Sequence, residues 1–328
     1  MPAKNAGTTE PMPPFPESWG GRRYHSISQA YQQRFGQKVH KLALSVSQSC
    51  PNRSSEIGVC VFCDEWGSAG IYVRPELSVA AQIAAYKAGM KERFRTQGFL
   101  AYFQPYTNSF TRTQDLERQL RAALEDSEVL GLIIGTRPDC LNKSLFPLLA
   151  ELAQETYVCV ELGVQSFEDP ALDFLNRGHD AAQSTEAILR LKEVPGLEVG
   201  VHLIFGLPHE GDQEILFAAH ETNRLGVNNV KLHNLHVLKN TPLETLYRQG
   251  DFTPLELEEY ARRVVLFLEH ANPTLAVGRL AAKASREEEL VAPAWTAQKM
   301  LPINRIEGML KAQNTWQSRL WTGEAPWT

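Results

Sequence analysis

The stretch CPNRSSEIGVCVFC, residues 50–63, decides how the rest of the chain is interpreted. It holds three of the five cysteines, spaced C-x9-C-x2-C, and no second C-x2-C pair follows it. Cysteine thiolates are the ligands that iron–sulfur clusters and zinc ions prefer. A four-iron cluster held by three thiolates leaves one iron open to a small chelating molecule. The spacing therefore predicts a cluster of this kind at Cys50, Cys60 and Cys63.

Two other interpretations of the three cysteines remain open at this point. They could form a zinc site completed by a histidine, since a structural zinc ion takes four ligands, and His40 is the nearest upstream candidate. They could also be unrelated buried thiols. We expect that of Cys140 and Cys159, because free cysteine is among the most buried residue types.

Composition limits the class of protein. The chain has 328 residues, a hydrophobic content of 43% and a formal net charge of −5. These values predict a globular protein of one large domain with extensions, or two domains, without a general attraction to nucleic acid. The odd number of cysteines favours a reducing compartment over a disulfide scaffold. No apolar run is as long as a membrane span, and residues 1–21 are proline-rich, which predicts a flexible leader and a cytoplasmic protein.

Strand and helix patterns alternate after the leader. Apolar or alternating runs predict six strands, at residues 41–48, 98–104, 129–135, 157–164, 197–205 and 227–235. The capping pattern Thr253-Pro-Leu-Glu256 predicts the start of a helix that reaches Ala271. Right-handed crossovers between such strands give a parallel sheet, so the predicted fold is α/β, a partial (β/α)6 barrel. We expect this barrel at residues 22–271 and a C-terminal extension, residues 272–328, that closes its open side.

Polar side chains follow every predicted strand. In parallel α/β folds, ligands bind where the strands end. The cysteines come after the first strand, and the next four strands are followed by Gln104, Thr107, Thr136, Arg137, Glu161, Gln165 and Glu210. The sixth strand carries Lys231, His233 and His236. We expect these side chains to converge on one cavity.

Several longer motifs carry a resemblance to a known family. They are GTRPDCL (135–141), ELGVQSF (161–167), LNRGH (175–179), HLIFGLP (202–208) and VKLHNLH (230–236), with AYFQPYTNSF (101–110) and VAPAW (291–295). Together they resemble the YhcC-like family of radical S-adenosylmethionine (SAM) proteins, from residue 22 onward. The chain is more distantly similar to the radical SAM part of the Elongator catalytic subunit and to oxygen-independent coproporphyrinogen oxidase.

The resemblance implies a radical SAM-type barrel with a [4Fe–4S] cluster and SAM as cofactors. Cys50, Cys60 and Cys63 would bind three irons, and the amine and carboxylate of SAM would chelate the fourth. The residues implied at the SAM site are Phe62, Gln104, Thr107, Thr136, Gln165, Arg177, Ile204, Gly206 and Lys231. Among these, Ile204 and Gly206 would line the adenine and ribose. The chain departs from the common pattern after its second strand, where Gln-Pro-Tyr-Thr-Asn replaces a GGE-type motif, and at His202, which replaces a glycine.

The implied activity is that of an enzyme, an iron–sulfur oxidoreductase or transferase that cleaves SAM reductively and abstracts hydrogen from a substrate. Glu161, His233 and His236 are the candidates for proton transfer on the substrate side. Lys231 and His233 lie two residues apart and share a strand face, which we expect to be the lumen. We expect Lys231 to carry a fixed positive charge and His233 to gain or lose a proton near neutral pH.

The partners expected are SAM, a small-molecule or RNA substrate, a flavodoxin- or ferredoxin-type electron donor, and no membrane. Two alternative functions remain open from the sequence. One is an RNA- or tRNA-modifying enzyme, suggested by the similarity to the Elongator subunit. The other is a non-catalytic zinc-binding module, which a colourless purified protein would indicate.

Overall fold

Seven parallel strands form one curled sheet in the computed structural model, which describes residues 15–46, 49–54, 58–64, 67 and 74–323. The strands neighbour one another in chain order: β1 (Val39–Leu44), β2 (Gly98–Phe103), β3 (Val129–Thr136), β4 (Tyr157–Gln165), β5 (Glu198–Phe205), β6 (Asn229–Asn234) and β8 (Ala276–Arg279). β1 and β8 are the two edges, so the sheet is an open half-barrel. The α/β partial barrel predicted from the sequence is confirmed. A separate antiparallel pair joins β7 (Val237–Leu238) to β9 (Leu290–Ala292).

Helices connect the strands, and most of them cover the outer face of the sheet. The first six are α1 (Ile27–Phe35), α2 (Pro51–Ser54), α3 (Val79–Phe94), α4 (Thr113–Leu124), α5 (Leu145–Glu155) and α6 (Asp169–Phe174). The others are α7 (Ala181–Lys192), α8 (Asp212–Arg224), α9 (Pro242–Gln249), α10 (Leu257–His270) and α11 (Met300–Ala312). No helix in the described ranges is long and apolar enough to cross a membrane.

Local sequence signals set several of these boundaries. α7 begins at Asp180, whose carboxylate accepts from the backbone N–H of Gln183 at 2.7 Å, while the Gln183 side chain accepts from the Asp180 N–H at 3.0 Å. This arrangement is a capping box, and it satisfies two N–H groups that the first turn of a helix leaves without partners. β3 is almost entirely buried, as expected for an apolar strand covered on both faces.

Two predicted boundaries are wrong. The first strand lies at Val39–Leu44 and not at residues 41–48, of which 47–48 fall outside the described residues. The Thr253 capping pattern does not start a helix, because α10 begins four residues later than Thr253. The indole Nε1 of Trp295 donates to the Leu255 carbonyl oxygen at 3.1 Å. That tertiary bond and the packing of Leu255 against the core favour an extended segment before α10.

Two apolar clusters position the site. The larger one fills the space between the sheet and the outer helices. In the smaller one, Ile27 and Tyr31 of α1 pack against lumen-side residues such as Leu100, Ile133 and Cys159. α1 therefore covers the lower end of the lumen, and the end where the strands finish stays open.

The seventh strand comes from the segment expected to be a C-terminal extension. β8 pairs in parallel with β6, with Val230 opposite Val277 and Lys231 opposite Arg279. α11 packs against α10 beyond it. Residues after 272 thus contribute directly to the wall of the half-barrel.

Candidate functional site

A cavity of about 260 Å³ opens where the strands of the half-barrel end. It is lined by all three clustered cysteines and by nearly every side chain that the sequence placed at the SAM or substrate site. These side chains are Phe62, Gln104, Thr107, Thr136, Glu161, Gln165, Arg177, Ile204, Lys231, His233 and His236. They come from segments spread over 187 residues of sequence, from Cys50 to His236, and the parallel topology brings them to one end of the sheet.

Gly206 is the exception among the predicted site residues. It follows β5 but does not line this cavity. Its backbone has φ +95°, and its N–H donates to Glu210 Oε1 at 2.8 Å. The positive φ favours glycine in this turn, so its residue type is explained by backbone conformation and not by a contact within the cavity.

Nitrogen donors lie close to the sulfurs of Cys60 and Cys63. Asn52 Nδ2 lies 3.3 Å from Cys60 Sγ, and Arg177 Nη1 lies 3.2 Å from the same sulfur. Arg53 Nη2 lies 3.3 Å from Cys63 Sγ. Burial raises the pKa of the Cys63 thiol to about 11, and Arg53 works against that rise. Donors of this kind stabilise thiolate sulfur, the form that binds iron.

The structure does not support a zinc site that would use His40 as its fourth ligand. His40 lies near the start of β1, at the end away from the cysteine loop, and stacks on Phe94 with ring centroids 4.6 Å apart. It is therefore not a fourth ligand. In the parts of the chain that the structure describes, no three histidine, cysteine or acidic side chains converge as ligands of one ion. A four-iron cluster makes no such demand, because each thiolate binds a different iron.

Arg177 is buried and is held in place at the cavity wall. Its Nη2 donates to the Gly163 carbonyl at 2.8 Å, and its own carbonyl accepts from Arg137 Nη2 at 2.6 Å. Arg137 is in turn fixed by two bonds to Asp139, at 2.8 and 2.9 Å. Arg177 Nε is buried and has no hydrogen-bond partner among the described residues. A buried donor without a partner at a cavity wall is suited to an anionic ligand.

A network of charges centred on Glu161 lies deeper in the lumen. Lys41 Nζ is 2.9 Å from Glu161 Oε1, and His202 Nε2 is 3.0 Å from Oε2. Lys231 Nζ also pairs with Oε2 and donates to the Tyr102 hydroxyl at 2.7 Å. Side chains from β1, β2, β4, β5 and β6 therefore meet at one fully buried carboxylate.

This network determines which of its groups are charged. Burial alone would raise the pKa of Glu161, but Lys231 and Lys41 outweigh it and hold that pKa well below its usual range. Burial lowers the pKa of Lys231 to about 7, with Glu161 opposing and Lys41 adding to the decrease. The charge of Lys231 is therefore not fixed at neutral pH, contrary to the sequence-based expectation. Because Glu161 is ionised and paired on both oxygens, its geometry favours a positioning role.

The two candidate histidines are neutral in this environment. Burial, followed by Arg279, His202 and Lys231, lowers the pKa of His233 well below its usual value. Burial also lowers the pKa of His236, whose Nδ1 lies 3.1 Å from the Asn234 carbonyl oxygen. Proton exchange by His233 near neutral pH, expected from the sequence, is thus disfavoured. Its Nε2 is buried without a hydrogen-bond partner in the described part of the chain.

Several residues of the site were missed from the sequence. They are Asn52 and Arg53 beside the cysteines, and Lys41, Tyr102 and Arg279 on the strands. The signal for Lys41 was available, since a lysine within an otherwise apolar strand must face a polar partner or the lumen. Arg279 was out of reach, because nothing in its sequence neighbourhood shows that β8 joins the main sheet.

Comparisons with known proteins match this arrangement. Residues 44–221 match the Radical SAM superfamily, and residues 227–312 match the Radical_SAM C-terminal domain. The chain is 37% identical over 283 residues to Protein YhcC of Escherichia coli (strain K12), a match covering 85% of this chain and 87% of that protein. The fold is similar to that of Elp3 from Methanocaldococcus infernus, with a TM-score of 0.66 at 18% identity. It is also similar to that of Streptococcus suis SuiB bound to S-adenosylmethionine, with a TM-score of 0.50 at 14% identity.

The two structural matches cover different shares of the chains compared. The Elp3 match covers 85% of this chain and 64% of that one, and the SuiB match covers 77% and 53%. This chain therefore spans less than two thirds of the length of either solved structure.

Proposed function

This chain belongs to the radical SAM superfamily, and from that premise we propose that it is an enzyme that cleaves SAM reductively and abstracts a hydrogen atom from a substrate. The observation that carries the proposal is the convergence of Cys50, Cys60, Cys63 and Arg177 on one cavity at the strand ends. When bound there, a [4Fe–4S] cluster would supply the electron that cleaves SAM to methionine and a hydrogen-abstracting 5′-deoxyadenosyl group.

The residues of this chain would hold the two cofactors as follows. The three cysteines would each bind one iron, with the N–H groups of Asn52 and Arg53 beside the sulfurs. Arg177 would pair with the SAM carboxylate through its guanidinium, which a bond to the Gly163 carbonyl oxygen already orients. Thr136 and Gln165 would add neutral hydrogen bonds, and Ile204 would supply an apolar wall.

The charge network would position groups on the substrate side. Glu161 holds Lys41, Lys231 and His202 in place, so that these side chains do not need to reorganise when a substrate binds. Lys231 has a pKa of about 7 and could hold or release a proton at neutral pH. His233 is neutral and offers a ring nitrogen without a partner among the described residues. A likeness to Elp3 at 18% identity shows the fold alone, so an RNA substrate does not follow from it.

The proposal is tested by following SAM itself. Protein reconstituted anaerobically with iron and sulfide is incubated with SAM and dithionite, and 5′-deoxyadenosine is measured by chromatography. We expect wild-type protein to form it, and Arg177→Ala to bind SAM more weakly by about 1–3 kcal/mol in calorimetry, the range for a charge-assisted hydrogen bond.

The matched control is Arg190→Ala, on the outer face of α7 and 35% exposed, which should behave as wild type. Cluster-loaded wild type that forms no 5′-deoxyadenosine would contradict the proposed reaction. Unchanged SAM affinity in Arg177→Ala would contradict only the role given to that arginine.

A further inference from the structure

The cavity is more basic than the protein that surrounds it. Seven lysine and arginine side chains line it against three carboxylates, whereas the whole chain has a net charge of −5. Six of the seven cationic side chains lie beside a carboxylate or a cysteine sulfur. The pairs are Arg53 with Cys63, Arg177 with Cys60, Arg137 with Asp139, Lys231 with Glu161, Lys283 with Glu287, and Arg286 with Glu289.

Arg279 is the seventh cation, and it has no ion pair within the described residues. It is the last residue of β8, opposite Lys231 of β6, and its side chain is open to the cavity. Its Nη1 lies 3.5 Å from His233 Nδ1, at the limit of hydrogen bonding. A guanidinium stays protonated at any physiological pH, so this charge is permanent.

The neighbouring carboxylate cannot compensate Arg279. Glu161 is the acidic side chain of the lumen network, and its two oxygens are already taken by Lys41, Lys231 and His202. Arg279 faces Nδ1 of His233, and the other ring nitrogen, Nε2, is buried and has no partner in the described part of the chain. A permanent cation and an imidazole with one unpartnered nitrogen therefore lie side by side at the cavity wall.

We propose that Arg279 binds the anionic group of a small-molecule substrate, a carboxylate or a phosphate, with His233 as a second hydrogen-bonding group beside it. A guanidinium fork matches both kinds of anion through two parallel N–H···O bonds. The cluster and SAM would share this cavity of about 260 Å³, so the space that remains beside Arg279 suits a small molecule. This inference rests on the proposed function, because it names the class of substrate for the same cavity.

The test measures anion binding without any turnover. Cluster-loaded protein saturated with SAM is titrated with inorganic phosphate and, separately, with succinate, by anaerobic calorimetry at low salt. Saturation with SAM keeps Arg177 from acting as the anion site. We expect wild-type protein to bind at least one of the two probes, and the probe that binds more tightly distinguishes phosphate from carboxylate recognition.

Arg279→Gln should weaken that binding at least tenfold, and Arg279→Lys should keep part of it, because it keeps the charge but loses the fork. Arg118→Gln, on the surface of α4 and 72% exposed, is the matched control and should bind as wild type. Iron content and SAM affinity are measured for each variant, so that misfolding is separated from loss of the anion site.

Two results would overturn the inference: no binding of either probe by wild-type protein, or equal binding by wild type and Arg279→Gln. If Arg279→Gln loses its cluster, the affinity of Arg279→Lys for the probe is compared with that of wild type instead. An equal affinity overturns the role of the Arg279 guanidinium, and a weaker affinity supports it. Because no reductant is present, the outcome is independent of 5′-deoxyadenosine formation. Failure of SAM cleavage and failure of anion recognition are therefore told apart.

Discussion

Replacing Glu161 with glutamine removes the one carboxylate that compensates the buried lysines of the lumen. The side chain of Glu161 is completely buried, and those of Lys231 and Lys41 are 6% and 20% exposed. At the 2.9 Å between Lys41 Nζ and Glu161 Oε1, the Coulomb attraction is roughly 6 kcal/mol with an effective dielectric constant of about 20. Desolvation offsets part of this. We therefore expect Glu161→Gln to lower the free energy of unfolding by about 3–5 kcal/mol, the range for removing one partner of a buried ion pair.

The assay is urea-induced unfolding of cluster-loaded protein under anaerobic conditions, followed by tryptophan fluorescence. With a slope of about 3 kcal/mol per molar urea, the loss corresponds to a midpoint lower by about 1–2 M. The matched control is Glu258→Gln. Glu258 pairs with Arg305 at the surface, where the two side chains are 63% and 42% exposed, so its midpoint should not change.

The pH dependence gives a second and sharper criterion. Without Glu161, the main group that opposes the lowering of the pKa values of Lys41 and Lys231 by burial is gone. The folded variant then binds fewer protons than its unfolded chain at pH values below about 10, so its stability rises with pH. In wild type only the pKa of Lys231 is lowered, whereas that of Lys41 is raised, so wild-type stability rises less steeply with pH. We therefore expect the difference in free energy of unfolding between wild type and variant to narrow between pH 7 and pH 9. A decrease in the free energy of unfolding below about 1 kcal/mol in Glu161→Gln, or a difference from wild type that does not change with pH, would contradict this prediction. The charges of the lumen would then behave as those of a solvated surface.

Two further predictions concern the cluster and a histidine. Cys60→Ala should lose most of the bound iron, because a cluster held by only three thiolates cannot spare one, whereas Cys159→Ala should keep its iron. The measurements are iron analysis and absorbance near 400 nm (roughly, for thiolate-ligated iron). Full iron retention in Cys60→Ala would reject the assignment of Cys60 as a ligand. Burial lowers the pKa of His202 to about 4, below the 6.5 of a free histidine, so the unfolded chain takes up this proton first as the pH falls. Between pH 6.5 and pH 4, the free energy of unfolding of wild type should therefore fall by up to about 3 kcal/mol more than that of His202→Gln, as measured by urea unfolding. Equal decreases in the two proteins would show that His202 is solvated.

The amino-acid pattern alone was enough to predict the parallel half-barrel and the end of the sheet at which the cavity lies. Strands such as β3 and β4 are signalled by local apolar runs, and α7 by the capping pattern at Asp180; local signals of this kind do not depend on distant residues. The sequence also predicted which end of the sheet carries the site, because parallel strands bring their carboxyl ends together. The SAM and substrate roles assigned from the sequence stay predictions, although all those side chains except Gly206 line one cavity.

Which side chains meet in the lumen, and what charge each carries, depends on the folded arrangement of distant segments. Lys41 pairs with Glu161 across 120 positions of sequence, and Arg279 reaches the cavity only because β8 joins the sheet beside β6. The pKa of Lys231 depends on burial and on charges from other strands, none of which a local pattern records. Local signals can also be overruled, as at Thr253, where a bond from Trp295 favours an extended segment over a helix. The physical reason is the same in each case: desolvation and pairing act between residues that only the fold brings into contact.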